Sequence, residues 1–226
     1  MLAEIEHEVA QTKGLLGRDR LDPRVAAAVG AVPRHEFVPA HEQSAAYDNR
    51  PLSIGYGQTI SQPYIVAIMT ELAAPQAGDT VLEVGTGCGY QTAILAELAA
   101  RVFSIETVPE LAADAEARLR RLGYGNIAIR TGDGTQGWPE AAPFDAILVA
   151  AAAQKRVPPA LIAQLAPGGR LVIPLQRGLF RLSFGLWPEQ ELLLITKDPA
   201  GTVTEKAVLP VAFVPLVERR RGKPTG

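Results

Sequence analysis

Between residues 78 and 175 the chain alternates short apolar runs with amphipathic stretches, and the pattern loosens on either side. Thr80–Val84, Arg101–Glu106, Asn126–Arg130, Phe144–Val149 and Arg170–Ile173 are strand-length runs rich in β-branched residues. Tyr90–Ala100, Pro109–Leu122 and Pro158–Leu165 fall between them with helical periodicity. The second of these helices opens after Thr107 with proline at its first position and stops at Gly123. Strands separated by helices of this length predict βαβ units and a parallel sheet. The expected fold is therefore α/β: a Rossmann-like, doubly wound, mostly parallel sheet with helices on both faces.

The flanks predict different elements. Leu2, Ile5 and Val9 share one face of a short helix. A second helix starts at Asp22-Pro23, turns Val25 and Val29 inward, and ends before Pro33. Periodicity is then lost from Pro33 to Gln62, a proline- and glycine-rich stretch of about 30 residues, and loops of that length inside a compact domain are commonly functional. A helix over Pro63–Ala74 follows. Beyond residue 175, Leu192–Thr196 and Val208–Val214 read as antiparallel edge strands joined by a turn at Asp198–Gly201, and the closing ERRRGKPTG as a frayed terminus. The expected organisation is one domain over 1–226: a helical and loop-rich part (1–77), a sheet core (78–175) and C-terminal strands with a tail (176–226).

Composition narrows the class without identifying it. With 226 residues, 47% of them hydrophobic and 20% charged, the chain is an ordinary globular sequence. Its 22 basic and 24 acidic side chains leave a net charge of -2, without the basic bias of a nucleic-acid binder. One cysteine excludes an internal disulfide, and three histidines at unrelated spacings offer no metal site. The N-terminus carries glutamates where a signal peptide needs basic residues. The longest apolar run, Ala146–Ala153, is far short of the roughly 18 residues of a membrane span. A cytoplasmic monomer with no nucleic-acid, membrane or metal partner is expected.

The candidate chemistry begins at VLEVGTGCGY, which joins the first core strand to its helix. Gly85, Gly87 and Gly89 stand at alternate positions, allowing a sharp turn and close approach to a ligand. Dinucleotide sites want G-x-G-x-x-G; here the spacing is G-x-G-x-G, with Glu83 two residues ahead. That acid could meet the positively charged amino-acid end of a ligand. Glu106 closes the second core strand where an acid takes ribose hydroxyls, Gly132-Asp133-Gly134 follows the third, and Asp145 begins the fourth. These four markers together resemble the class I S-adenosylmethionine-dependent methyltransferases. The resemblance implies that Glu83, Gly85, Thr86, Gly87 and Gly89 hold the methionine part of S-adenosyl-L-methionine, Glu106 the ribose, and Asp133 with Gly134 the adenine.

The segments outside the core carry a narrower resemblance. VPRHEFVP, AAYDNRPLSIGYGQTISQPYIVAIM, VLEVGTGCGYQTAILA, PPALIAQLAPGGRLVIP and VAFVPL look like protein-L-isoaspartate O-methyltransferase from about Val32 to Leu216, GQTISQP being the most specific part. That family methylates the abnormal free α-carboxylate of L-isoaspartyl residues in damaged proteins and peptides, releasing S-adenosyl-L-homocysteine and starting repair through a succinimide. The resemblance marks Ser61 as the active-site serine, with Thr59 beside it and Gln58 and Ile60 toward the cofactor.

The acceptor chemistry agrees with the residues available. A carboxylate is already anionic at neutral pH, so methyl transfer to it needs alignment and exclusion of water more than a general base. Hydroxyl and backbone donors suit that task, whereas a paired lysine or arginine would hold the ground state too firmly. Ser61 could equally be a cap for the helix at Pro63, Tyr64 core, Cys88 a small residue of the turn, His35 and His41 solvent-exposed, and Arg118, Arg120 and Arg121 a solvated face. One departure from the family stands after Pro174: LQRGLFRLSFGLWPEQELLLITK is longer and more apolar than usual, with Gln190 the plausible family glutamine and Phe180, Phe184 and Trp187 as a further strand or lid. Three other readings stay open. They are a relative acting on an aspartate of a specific peptide, a cofactor-binding module without catalysis, and, more distantly, an NAD dehydrogenase.

Overall fold

The computed structural model describes residues 1–182 and 185–217. The chain opens with α1 (Leu2–Gln11), α2 (Lys13–Leu16) and α3 (Pro23–Ala31). Ile5 and Val9 point α1 into the core, and Asp22 caps α3 by accepting from Arg24 N ahead of Pro23. The aperiodic stretch resolves into two 3-10 turns, Arg34–Phe37 and Ala40–Ala45, and a hairpin of β1 (Leu52–Gly55) and β2 (Gln58–Ile60). Gly55, Tyr56 and Gly57 form its tip, all with positive φ. Helix α4 (Pro63–Ala73) leads into the core: β3 (Thr80–Val84), α5 (Tyr90–Leu98), β4 (Arg101–Glu106), α6 (Pro109–Arg121), β5 (Ile127–Thr131), β6 (Phe144–Val149), α7 (Pro159–Ala163) and β7 (Leu165–Leu182). The chain then returns as β8 (Gly185–Lys197) and β9 (Val203–Pro210).

The seven strands of the main sheet run in the order β5-β4-β3-β6-β7-β8-β9, parallel as far as β7 and antiparallel beyond it. Successive residues of a strand face opposite sides, so the sheet divides two cores. Val81, Ala146 and Leu148 pack with α1, α3, α4 and α5, while Leu82, Val84, Ile147 and Val149 pack with Leu161 of α7. Both faces are covered, which is why these strands read as continuous apolar runs. The order reverses between β3 and β6, because β3 connects onward to β4 on its other side. That reversal opens a crevice at the carboxyl ends of the strands.

Two expectations for the C-terminal part are corrected. The final strand is Val203–Pro210, upstream of the anticipated Val208–Val214. The turn at Asp198 closes tightly, with Gly201 N donating to Asp198 O and Asp198 N to Thr202 O, so pairing resumes at once. The start of β9 is exposed and polar, which hides it from a reading based on apolar runs. Val211–Leu216 instead crosses to the site end of the sheet, where Ala152 N donates to Val214 O and Leu216 N to Ala152 O. The second correction is that β7 and β8 are far longer than predicted. Their register continues past Gln176↔Gln190 to Leu182↔Gly185, with Phe180 opposite Trp187, as a two-stranded arm beyond the reach of β6 and β9. Phe184 and Arg219–Arg221 lie outside the described residues.

Candidate active site

After β3 the chain must turn sharply to enter α5, and Gly85, Gly87 and Gly89 adopt φ of 97°, 54° and 91° to do so. Glycine takes these values without the strain a side chain would bring. Gly85 N donates to Ile105 O, which ties the turn to the end of β4. Glu106 secures it further: its Oε2 accepts from Gly87 N at 2.8 Å, and its Oε1 from Thr107 N and Val108 N. The β1–β2 hairpin lies across the turn, with Ile54 Cδ1 3.4 Å from the position a Gly87 Cβ would occupy.

These pieces enclose a cavity lined by Gln58–Ser61, Val84–Cys88, Tyr90, Gln91, Ile105–Thr107, Gly134, Ala150, Ala151 and Val214–Val217. Among the described residues Glu106 is its one charged side chain, and no lysine or arginine of those residues lines it. A diphosphate would find no cation among them. A ligand carrying a ribose diol and net positive charge finds a carboxylate, glycine-turn backbone and apolar walls, and S-adenosylmethionine has that chemistry.

The sequence-predicted residues divide into two groups. Gln58, Thr59, Ile60, Ser61, Gly85, Thr86, Gly87, Glu106 and Gly134 all line the cavity. Glu83, Gly89 and Asp133 do not. Glu83 was expected to face the amino-acid end of the ligand, but it points away into the protein and is wholly buried. Thr92 Oγ1 and Ser104 Oγ donate to its Oε2 at 2.5 and 2.6 Å, while Oε1 has no partner among the described residues. Burial outweighs those two hydrogen bonds and pushes its carboxyl up to about 8. It is a neutral prop beneath the turn, because side chains alternate along β3 and Glu83 lands on the α5 side. Gly89 is the left-handed first cap of α5, with its bare Cα against Leu119 and Ala115. Asp133 folds back on its own turn and accepts from Thr135 N and Oγ1. That leaves Gly134 on the wall, where a Cβ would run into Val84.

Other residues hold the site in ways the sequence did not show. Arg118, expected on a solvated face, donates from Nη1 to Cys88 O at 2.8 Å and braces the glycine turn. Gln190 clasps the C-terminal segment, its Nε2 donating to Phe213 O and its Oε1 accepting from Phe213 N. Cys88 is buried with its thiol pushed up by burial, consistent with a small packing residue. His35 is half exposed and bonded to Tyr47, and no group of metal-ligating side chains occurs among the described residues.

The geometry at Ser61 separates its two possible roles. The cap of α4 is supplied by Asn49, whose Oδ1 accepts from Tyr64 N at 3.0 Å while its Nδ2 donates to Glu8 Oε2 at 2.7 Å. The Ser61 hydroxyl makes no hydrogen bond to any described residue, and no side chain caps α4 from the Gln62 position. Ser61 sits in the wall of the first cavity and also of a second, of about 580 Å³. The second is lined on one side by Ser61–Gln62 and Tyr64–Ile65 at the start of α4, and on the other by Leu209–Val214. Thr59, Ser61, Ala150 and Val214 belong to both.

The comparisons with known proteins agree with this geometry. The sequence profile of the protein-L-isoaspartate(D-aspartate) O-methyltransferase family matches residues 12–221. The chain belongs to that family. Among its relatives, a protein-L-isoaspartate O-methyltransferase 2 of Syntrophobacter fumaroxidans is 54% identical over 216 residues, covering 96% of this chain and 84% of the relative. One from Polaromonas sp. is 52% identical over 220 residues, covering 97% and 100%. A solved protein-L-isoaspartate O-methyltransferase superposes with a TM-score of 0.77 at 26% identity, covering 95% of this chain and 65% of the solved one. A Plasmodium falciparum protein named as a candidate isoaspartate methyltransferase superposes at 0.73 and 25% identity, covering 92% and 99%; it was solved in complex with S-adenosyl-L-homocysteine. For this methyltransferase, therefore, S-adenosylmethionine is the cofactor.

Proposed function

We propose that this chain transfers the methyl group of S-adenosylmethionine to the free α-carboxylate of L-isoaspartyl residues in damaged proteins and peptides, with Ser61 and Thr59 at the point of transfer. The observation that supports this most directly is the wall common to the two cavities, formed by Thr59, Ser61, Ala150 and Val214. A donor in one cavity and an acceptor in the other meet only there. S-adenosylmethionine supplies a methyl group already activated on a sulfonium.

The protein's part is placement. The acceptor carboxylate is ionised at neutral pH, and no histidine lines either cavity to act as a base. Glu8 is the only charged residue among the described residues of the second cavity, so no cation among them holds the acceptor firmly in its ground state. The free Ser61 hydroxyl and the positive end of α4 orient the carboxylate, while Ile65, Ala150 and Val214 exclude water from the path. Gln58, Ile60, Gly85, Thr86, Gly87 and Gly134 shape the cofactor wall, and Glu106 faces the ribose. Glu83 and Asp133 act through the backbone they brace.

We extend the reading to a cytoplasmic monomer without nucleic-acid or membrane partners. No helix among the described residues is long and apolar enough to cross a membrane. Radiolabelled methyl transfer tests the activity. An isoaspartyl peptide should be labelled and its aspartyl twin should not; equal labelling of both, or of neither, overturns the reading.

A further inference from the structure

Arg34 is fully buried, yet none of the salt bridges among the described residues includes it. Its guanidinium donates from Nε to Ala46 O and from Nη2 to Ser61 O, both at 2.8 Å, and lies over the Tyr90 ring at 4.8 Å. Nη1 and the Tyr90 hydroxyl have no hydrogen-bond partner among the described residues. Placing a cation in the interior against neutral carbonyls costs several kcal/mol that two hydrogen bonds and a cation–π contact recover only in part. An apolar side chain of similar size would avoid that cost but leave the Ala46 and Ser61 carbonyls without this donor. What the arginine adds beyond packing is its hold on those two carbonyls.

Its contacts show what that hold secures. One neighbour is the carbonyl of Ser61, in the wall between the two cavities; another is Tyr90, in the wall of the cofactor cavity. The Tyr90 ring meets Phe37 edge-on at 5.5 Å, and Arg118 lies over Phe37 while its Nη1 holds Cys88 O. Two arginines thus grip the backbone on the two sides of the cofactor cavity, one at the TIS loop and one at the glycine turn, with a pair of aromatic rings between them. A guanidinium with donors in a fixed plane can set the orientation of the Ser61–Gln62 peptide, which in turn aims the Ser61 side chain; a lysine or an apolar residue cannot.

We propose that Arg34 is a positioning residue for the methyl transfer, one that fixes the Ser61 loop against the cofactor cavity through the Ser61 carbonyl. Arg34 is not among the residues that line either cavity. The proposal rests on the reading of Ser61 given above, and two readouts separate the two.

The first readout is amide hydrogen exchange across residues 58–64 of the ligand-free protein, which needs no substrate. Arg34→Lys and Arg34→Met should both exchange faster there, while residues 101–106 of β4 stay as protected as in the wild type. The second is kinetics on an isoaspartyl peptide. Both variants should lose at least about tenfold in kcat, with peptide KM and S-adenosylhomocysteine affinity within about threefold of wild type. Arg34→Met should melt only modestly below the wild type, and its turnover, measured where it is fully folded, should fall by more than that change in stability accounts for. Unchanged exchange over 58–64, a kcat within about threefold of wild type, or parallel losses of stability, cofactor affinity and turnover overturn the proposal. Failure of both variants to fold would make Arg34 a structural residue and overturns it as well. A wild-type protein that labels no isoaspartyl peptide overturns the functional reading, while the exchange result still decides whether Arg34 holds the loop.

Discussion

Glu83 and Glu106 show how differently two carboxyls of one motif can end. Both lie near the carboxyl ends of core strands and both are buried, but Glu106 accepts three backbone amides and Glu83 only two hydroxyls. The sequence identified the pair as acids near a cofactor. It could not say which would face the ligand, because that depends on how each strand alternates relative to its covering helices. The Glu83 carboxyl is raised to about 8 in the folded protein, whereas in the unfolded chain it is ionised above about 4.3. Between those values the folded state holds one proton more than the unfolded one. Stability must then fall as pH rises through this window, by up to about 1.4 kcal/mol per pH unit, and level off above it. Glu83→Gln should remove that share of the decline: urea titrations at pH 6 and pH 9 should show the variant gaining on wild type at the higher pH. Parallel pH profiles for the two proteins would refute a neutral Glu83.

At the scale of the element, the cap of α4 is taken by Asn49 rather than Ser61, which leaves the Ser61 hydroxyl free for the role proposed for it. Asn49 satisfies the Tyr64 amide, which leaves Ser61 free to face the cavities. Asn49→Ala should destabilise the protein by about 1 kcal/mol, the usual cost of a lost cap. Ser61→Ala should leave denaturation nearly unchanged and cut turnover about tenfold or more, with S-adenosylhomocysteine affinity near normal. A Ser61→Ala protein as destabilised as Asn49→Ala, or one turning over at the wild-type rate, would restore Ser61 to a capping role. Its serine, proline and spacing were legible in the sequence. The residue that takes the cap lies twelve positions upstream of Ser61 in an aperiodic loop, where no local pattern predicts the contact. The same holds for Arg34 and Arg118. Both sit in segments that look like ordinary polar surface, and only tertiary packing turns them onto loop carbonyls.

Across the whole molecule, the parallel core was legible because its strands are buried on both faces and its helices carry clear start and stop residues. Five of the core strand and helix starts fall where the pattern placed them, at Thr80, Tyr90, Arg101, Pro109 and Phe144. The exposed edge was not legible, since β9 gains its pairing from β8 rather than from burial of its own side chains. The chain beyond β9 closes both cavities, held by the two hydrogen bonds between Gln190 and the Phe213 backbone. Gln190→Ala should weaken cofactor affinity and raise peptide KM together, each by about tenfold if the two bonds contribute about 1 kcal/mol apiece and part is retained. Calorimetry with S-adenosylhomocysteine and initial rates with an isoaspartyl peptide measure the two effects; a change in only one would show that the segment closes a single cavity. The wall common to both cavities also has a kinetic consequence. Thr59, Ala150 and Val214 come from three distant stretches of chain, so this wall has a high contact order even where the elements around it form locally. During refolding, helical signal should return first and methyl-transfer competence last, when Val211–Val217 has docked.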